Sequence, residues 1–228
     1  MKNKIVLILI IIATCQIAIS QVAATKSNQK IERENIEWCD IWVANAKSDD
    51  KPRILLIGDS ILIGYYKSVS EYFEGNAYCA RFATSACVAG PAFLQQLELM
   101  LSQYDYSVIH FNNGLHGTGY TEGEYETGYK KALQLIKKRS PQSKLVLALS
   151  TPLQSTSEKN YLNPRIDERN QIVRSLAKKY DASVNDLNSI SKDHPEYYKD
   201  PYHFKTEAIT LQGEQVADTI KNLLMETK

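Results

Sequence analysis

Two stretches of this 228-residue chain have residue types and spacing suited to chemistry. The first is Gly58-Asp59-Ser60, which ends the apolar run Arg53-Ile54-Leu55-Leu56-Ile57 and precedes a helix-like stretch from Ile61 to Phe73. A strand-turn-helix of this kind delivers a hydroxyl to the carboxyl edge of a parallel sheet, where open α/β folds place their sites. It also sets the hydroxyl near a helix N-terminus, whose free N–H groups and positive dipole end favour developing negative charge. Read as structure alone, the tripeptide is a turn plus an N-cap, because Asp and Ser are both favoured caps.

The second stretch is Lys199-Asp200-Pro201-Tyr202-His203-Phe204. An aspartate three residues ahead of a histidine can turn its carboxylate onto the imidazole, fix the tautomer and stabilise the charged ring. A histidine held in this way is a general base for a serine hydroxyl, which attacks poorly without one. The competing reading of Asp-x-x-His is a surface salt bridge.

Together, Gly58-Asp59-Ser60-Ile61 and Asp200-x-x-His203 resemble the first and fifth sequence blocks of the SGNH (GDSL-type) hydrolase superfamily. The resemblance runs from about Arg53 onward, and Ala208-x-x-Leu211-x-Gly213-x-x-x-Ala217 is similar to the usual closing helix. It implies Ser60 as nucleophile, His203 as base and Asp200 as the carboxylate that orients it. It further implies an oxyanion hole made of the Ser60 N–H, a second-block glycine N–H and a third-block side-chain amide.

Val88-Ala89-Gly90 matches the second block and makes Gly90 that glycine, although Gly90-Pro91 also reads as a plain loop break before a helix. The third block departs from the usual Gly-x-Asn-Asp and reads Ile109-His110-Phe111-Asn112-Asn113-Gly114-Leu115-His116-Gly117. Matching the strand end makes Asn112 or Asn113 the donor, whereas sliding Gly114 onto the family glycine makes His116 the equivalent. A side-chain amide donates at any working pH, which favours Asn112, with Asn113 and His116 in reserve. Some extracellular SGNH branches carry this Asn-x-Gly-Leu-His form.

The elements that must position these residues alternate along the chain. Strands are predicted at Ile54–Ile57, Ala77–Ala83, Tyr106–Asn112, Ser143–Ser150 and Ala182–Asn185. Helices are predicted at Ile61–Phe73, Ala92–Ser102, Glu124–Lys138, Pro164–Tyr180 and Thr206–Met225. Strands separated by helix-length segments imply a parallel sheet covered on both faces. The resemblance implies the same α/β class: three α/β/α layers around a flavodoxin-like parallel sheet of about five strands. Trp38, Ile41, Trp42 and Ala44 have helical spacing and predict a packing helix ahead of the domain.

Residues 1–20 read as a secretory signal. Lys2 and Lys4 precede the apolar run Ile5–Ala13, and Ala18-Ile19-Ser20 supplies small residues before Gln21. Ile12-Ala13-Thr14-Cys15 is a second reading, a lipoprotein box with a lipidated Cys15, and an uncleaved anchor is a third. Residues 21–50 then form a leader and packing helix, and 51–228 the hydrolase domain. All three readings place the body of the protein outside the cytoplasm.

The composition, with 43% apolar and 23% charged residues, is that of a globular protein. Without residues 1–20, 25 basic residues face 26 acidic ones, and no basic stripe suggests a nucleic-acid partner. Cleavage after Ser20 leaves Cys39, Cys79 and Cys87, with Cys79 and Cys87 the nearest pair for a disulfide. No His/Cys cluster has zinc-site spacing, and the chemistry requires no metal or organic cofactor.

Other candidates carry less. His110 lies inside an apolar strand and reads as a hydrogen-bonded core histidine, and His194 reads as solvated. Thr151-Pro152 and Asn163-Pro164-Arg165 fall on loops that could border a site, where Arg165 would meet an anionic substrate group or form a salt bridge. Tyr65, Tyr66, Tyr120 and Tyr202 flank the motifs and have faces suited to sugar rings, though most of 14 tyrosines pack.

The expectation is an exported serine esterase acting on a small acyl group, such as acetyl, on a carbohydrate. Its partner would be a small-molecule or polysaccharide ester, with no membrane contact beyond a possible lipid anchor. The alternatives are a lipid esterase or thioesterase, an O-acyltransferase on the same triad, and a non-catalytic glycan-binding protein of the same fold.

Overall fold

The sheet is built around a strand with no exposed side. A computed structural model describes residues 30–225, so the signal segment 1–20 and Cys15 lie outside the described residues. Strand β2 (Arg53–Gly58) is buried at every position, the pattern of a central parallel strand covered on both faces. Its side chains alternate between two cores, Leu55 and Ile57 entering one and Ile54 and Leu56 the other.

The remaining strands are β1 (Cys39–Val43), β3 (Tyr78–Thr84), β4 (Val108–Phe111), β5 (Lys144–Ala148) and β6 (Ser183–Asn185). They form a six-stranded sheet in the order β1-β3-β2-β4-β5-β6. All neighbours pair in parallel except β1, which runs antiparallel along β3. Counted without β1, the parallel strands follow the flavodoxin-like order, roughly 2-1-3-4-5 in chain sequence, which places the switch point between β2 and β4.

Helices α2 (Pro91–Leu101), α3 (Glu122–Arg139) and α4 (Asn163–Tyr180) cover one face. Helices α1 (Ser60–Tyr72), α5 (Leu187–Ser191) and α6 (Thr206–Met225) cover the other. Local signals agree with these boundaries. Pro91 opens α2, and Thr121 and Glu124 form a reciprocal capping box on α3, whose last turn is basic.

Two expectations fail. The residues expected to form a packing helix, Trp38, Ile41, Trp42 and Ala44, instead span strand β1, with Ile41 and Trp42 inside it, paired from Cys39↔Thr84 to Val43↔Ala80. An edge strand is half exposed, so its apolar residues need not alternate cleanly, and pairing with β3 overrides the accidental period. No Cys79–Cys87 disulfide forms, and the three described cysteines are free. Cys79 belongs to one core and Cys87 to the other, with the sheet between them.

His110 is the core histidine expected. It is fully enclosed in β4, with Nε2 3.1 Å from the Asn185 amide nitrogen and its ring edge-on to Tyr65. Burial pushes its pKa down to about 4, below the unfolded value near 6.5. The unfolded chain therefore binds the extra proton first, and stability present above about pH 6.5 is lost as pH falls toward 4, by about 3 kcal/mol. Urea midpoints measured from pH 7 to 4.5 should fall more steeply for the wild type than for His110→Gln. Parallel slopes would refute the assignment.

Candidate active site

Asp59 starts the site by ending a strand and beginning a helix at once. Its buried carboxylate accepts the Ile61 N–H at 2.9 Å and caps α1, which leaves Ser60 as the first helical residue at the carboxyl edge of the sheet. The capping reading of this tripeptide therefore applies to Asp59 and not to Ser60. The Ser60 N–H lies in the first turn, where helix N–H groups have no intrahelical acceptor.

The segment between α5 and α6 brings in the second motif. Asp200 accepts the N–H groups of Tyr202 and His203 at 2.9 and 2.8 Å, folding the tetrapeptide into a tight turn. The turn sets His203 Nδ1 2.9 and 3.0 Å from the two Asp200 oxygens. Burial opposes the ionised form of Asp200, but the two N–H donors and the imidazole hold its pKa below the usual carboxylate value. An ionised carboxylate only accepts, so Nδ1 carries the hydrogen and Nε2 is left to accept. Nε2 lies 2.8 Å from Ser60 Oγ, across 143 positions of chain.

The two other residues assigned to the oxyanion hole, Gly90 and Asn112, are not brought to this point. The Gly90 N–H donates to the Cys87 carbonyl at 2.9 Å, and a side chain there would press on the Tyr120 hydroxyl. Asn112 directs its amide nitrogen to the Ala148 carbonyl at 2.8 Å and to Ser150 Oγ at 3.2 Å, fastening β4 to the end of β5. Asn113 is likewise engaged, accepting from the Val88 N–H and donating to the Ala86 carbonyl. None of the three lines the cavity onto which Ser60 opens.

His116 does line it, together with Ser60 and His203. Its Nδ1 lies 2.9 and 3.0 Å from the carboxylate oxygens of Glu34, which also accepts the Gly117 N–H. Trp38 sets its ring edge-on to this imidazole, with centroids 6.2 Å apart. The polar leader thus supplies a wall of the site. Nothing in its sequence marks Glu34 for this, since the pair is 82 residues apart and without local spacing.

The loop carrying His116 is held by two arginines of α4. Arg169, almost wholly buried, donates to the carbonyls of Gly114, His116 and Gly117 and pairs with Glu122 at 2.7 Å. Arg165 pairs with the other Glu122 oxygen at 2.6 Å and donates to the carbonyls of Thr118 and Tyr120. Arg165 therefore follows the salt-bridge reading. Arg169 was missed, although two arginines four apart on one helical face repel each other and signal a shared acidic partner. Gly114 allows the close approach, for a Cβ there would fall 1.9 Å from Ser150 Oγ. Gly117 adopts a positive φ of 74°, which suits glycine.

The cavity has a volume of about 530 Å³, and Ile63, Leu115, Leu153 and Ile166 give it an apolar wall. Of the tyrosines near the motifs, Tyr202 lines it while Tyr65, Tyr66 and Tyr120 are buried in packing. His194 is exposed and paired with Glu196, clear of the cavity.

No protein-family model and no curated protein matches the sequence. Solved structures do. A carbohydrate acetylesterase from Sinorhizobium meliloti superposes with a TM-score of 0.64 at 15% identity, over 76% of this chain and 100% of that one. A carbohydrate esterase of family 3 from Talaromyces cellulolyticus gives 0.61 at 10% identity, over 77% and 99%. A GDSL-like lipase from Bacteroides thetaiotaomicron gives 0.58 at 15% identity, over 75% and 88%. At these identities the likeness is one of fold: the chain has the α/β/α fold of SGNH (GDSL-type) hydrolases.

Replacing Arg169 with Leu leaves three carbonyls without their donor and Glu122 with half its partners. The loss should be about 3–5 kcal/mol in urea unfolding, as for other broken buried pairs. Arg165→Leu, at a side chain 33% exposed, should cost clearly less. Equal losses would show that burial of Arg169 does not set its weight.

Proposed function

We propose that this chain, built on the SGNH hydrolase fold, is an exported serine esterase that removes a small acyl group, such as acetyl, from a carbohydrate. The observation that carries the proposal is the 2.8 Å contact of His203 Nε2 with Ser60 Oγ, backed by Asp200 on Nδ1. In the reaction, Ser60 Oγ attacks the ester carbonyl carbon while its proton passes to His203 Nε2. The carbonyl electron pair moves onto oxygen, next to the N-terminus of α1. As the intermediate collapses, the bond to the leaving alcohol breaks and His203 protonates that oxygen. Water then repeats the sequence on the acyl-serine, releasing the acid and restoring the hydroxyl.

Support for a carbohydrate ester comes from neighbours of the same fold described as carbohydrate esterases, and is fold-level analogy. Export is supported by the signal-like layout of residues 1–20. A second reading is favoured by the apolar wall of Ile63, Leu115, Leu153 and Ile166, which suits a longer or aryl acyl chain. A glycan-binding role without catalysis is disfavoured, because binding needs no serine hydrogen-bonded to a carboxylate-held imidazole.

An organophosphonate should label Ser60 in the wild type and fail to label Ser60→Ala or His203→Ala by intact mass. Asp200→Asn should lower kcat by roughly 10⁴-fold, as loss of the orienting carboxylate does in such triads. Acetate release from acetylated xylan, set against nitrophenyl esters of graded length, separates the two substrate readings. A wild type that neither takes the label nor cleaves any ester would end the esterase reading.

A further inference from the structure

We propose that His116, held as an imidazolium by Glu34, is the side-chain donor to the oxyanion, so that this site uses a charged group where a neutral amide is usual. The inference rests on the esterase reading above and goes beyond it. Three observations carry it. The amides that would fill the role are engaged elsewhere, Asn112 on Ala148 and Ser150 and Asn113 on Val88 and Ala86. His116 lines the same cavity as Ser60 and His203, and its Nε2 has no hydrogen-bond partner among the described residues. Its ring is held by Glu34 at Nδ1 and packed edge-on against Trp38, and Arg169 anchors its backbone carbonyl.

The protonation state follows from the geometry. Facing a carboxylate, Nδ1 must donate, so a neutral ring would leave Nε2 as an acceptor only. Nε2 can donate to an oxyanion only when both nitrogens carry hydrogens. Burial works against that charge, but the Glu34 hydrogen bond, with the Asp59 and Glu34 charges, outweighs it and raises the His116 pKa. The reciprocal bond from His116 lowers the pKa of Glu34.

The charged groups around the ring are Glu34 on the leader, Asp59 at the cap of α1, His203 on the loop before α6, and Arg169 on α4 with its partner Glu122. Arg165 completes the surround on α4 and is already paired to Glu122. The site thus holds two carboxylate–imidazole pairs that must act in opposite states. His203 must be neutral to accept the Ser60 proton, and His116 must be charged to donate.

The test is kcat, KM and the pH profile of His116→Ala, His116→Asn and Glu34→Gln, on whichever nitrophenyl ester the wild type cleaves best. His116→Ala should lose roughly 10²- to 10³-fold in kcat with little change in KM, the loss typical of one oxyanion donor. His116→Asn, which supplies a neutral donor, should recover most of that loss and abolish the fall in rate at alkaline pH. Glu34→Gln should move that alkaline fall to lower pH, because the imidazolium loses the carboxylate that stabilises it.

Wild-type rates in His116→Ala would overturn the inference, as would an unaltered alkaline limb in both His116→Asn and Glu34→Gln. If His116→Ala fails to fold, the other two variants decide the matter by their limbs alone. Phosphonate labelling of wild-type Ser60 separates the outcomes. With labelling intact, unmoved variants sink only the role of His116. With no labelling or turnover in the wild type, the esterase reading fails and takes this one with it.

Discussion

Arg169 carries a permanent charge, yet only 2% of its surface reaches solvent, and such a group is tolerated only when every donor finds an acceptor. Here the acceptors are one carboxylate oxygen of Glu122 and the carbonyls of Gly114, His116 and Gly117, with the ring of Tyr125 against the guanidinium face. Satisfying the charge therefore dictates the path of the loop after β4. An arginine fork has fixed geometry, so the three carbonyls it gathers cannot drift independently. The sheet supplies the edge and α1 supplies the serine. The wall opposite is shaped by this one buried cation.

The two imidazole–carboxylate pairs are assembled by different means. Asp200 and His203 belong to one turn, where two backbone N–H bonds pin the carboxylate before the ring reaches it. Glu34 and His116 meet only through tertiary structure, the glutamate arriving on a segment that leads into edge strand β1. That segment is tied down at Trp38, whose N–H donates to Ser85 Oγ and whose carbonyl accepts the Ser85 N–H. An edge strand presents unpaired N–H and C=O groups that invite pairing with another chain, and proteins keep such strands short. In this fold the segment leading into β1 delivers Glu34 to the cavity.

What could be read from the sequence was whatever is local. The run Ile54–Ile57 is apolar at every position because both faces are covered, and the turn at Gly58-Asp59-Ser60 follows from cap chemistry. Asp200 and His203 are three residues apart, so their spacing is visible in the sequence. The five long helices were legible within a residue or two, since their apolar periods are long enough to outweigh noise, whereas the short α5 falls in a stretch read as loop. The remainder depends on distant partners. Asn112 stands at a strand end with a free-looking amide, and only the fold shows Ala148 and Ser150 occupying it from 36 and 38 residues away. Gly90 has the right neighbours in sequence, but its N–H closes a turn onto Cys87. Glu34 has no local mark because its partner is 82 residues away, and β1 shows a helical spacing because an edge element takes its structure from its neighbour more than from its own pattern.

The separation of Ser60 from His203 has a consequence for biosynthesis. A chain growing at about 5–20 residues per second places 143 positions between hydroxyl and imidazole, a gap of roughly 7–30 s. Through that interval strands β3 to β6 emerge behind β2, with the serine present but without the imidazole. On the esterase reading, the nascent polypeptide lacks its general base while most of its sheet is already made. The 2.8 Å contact belongs to the finished fold alone.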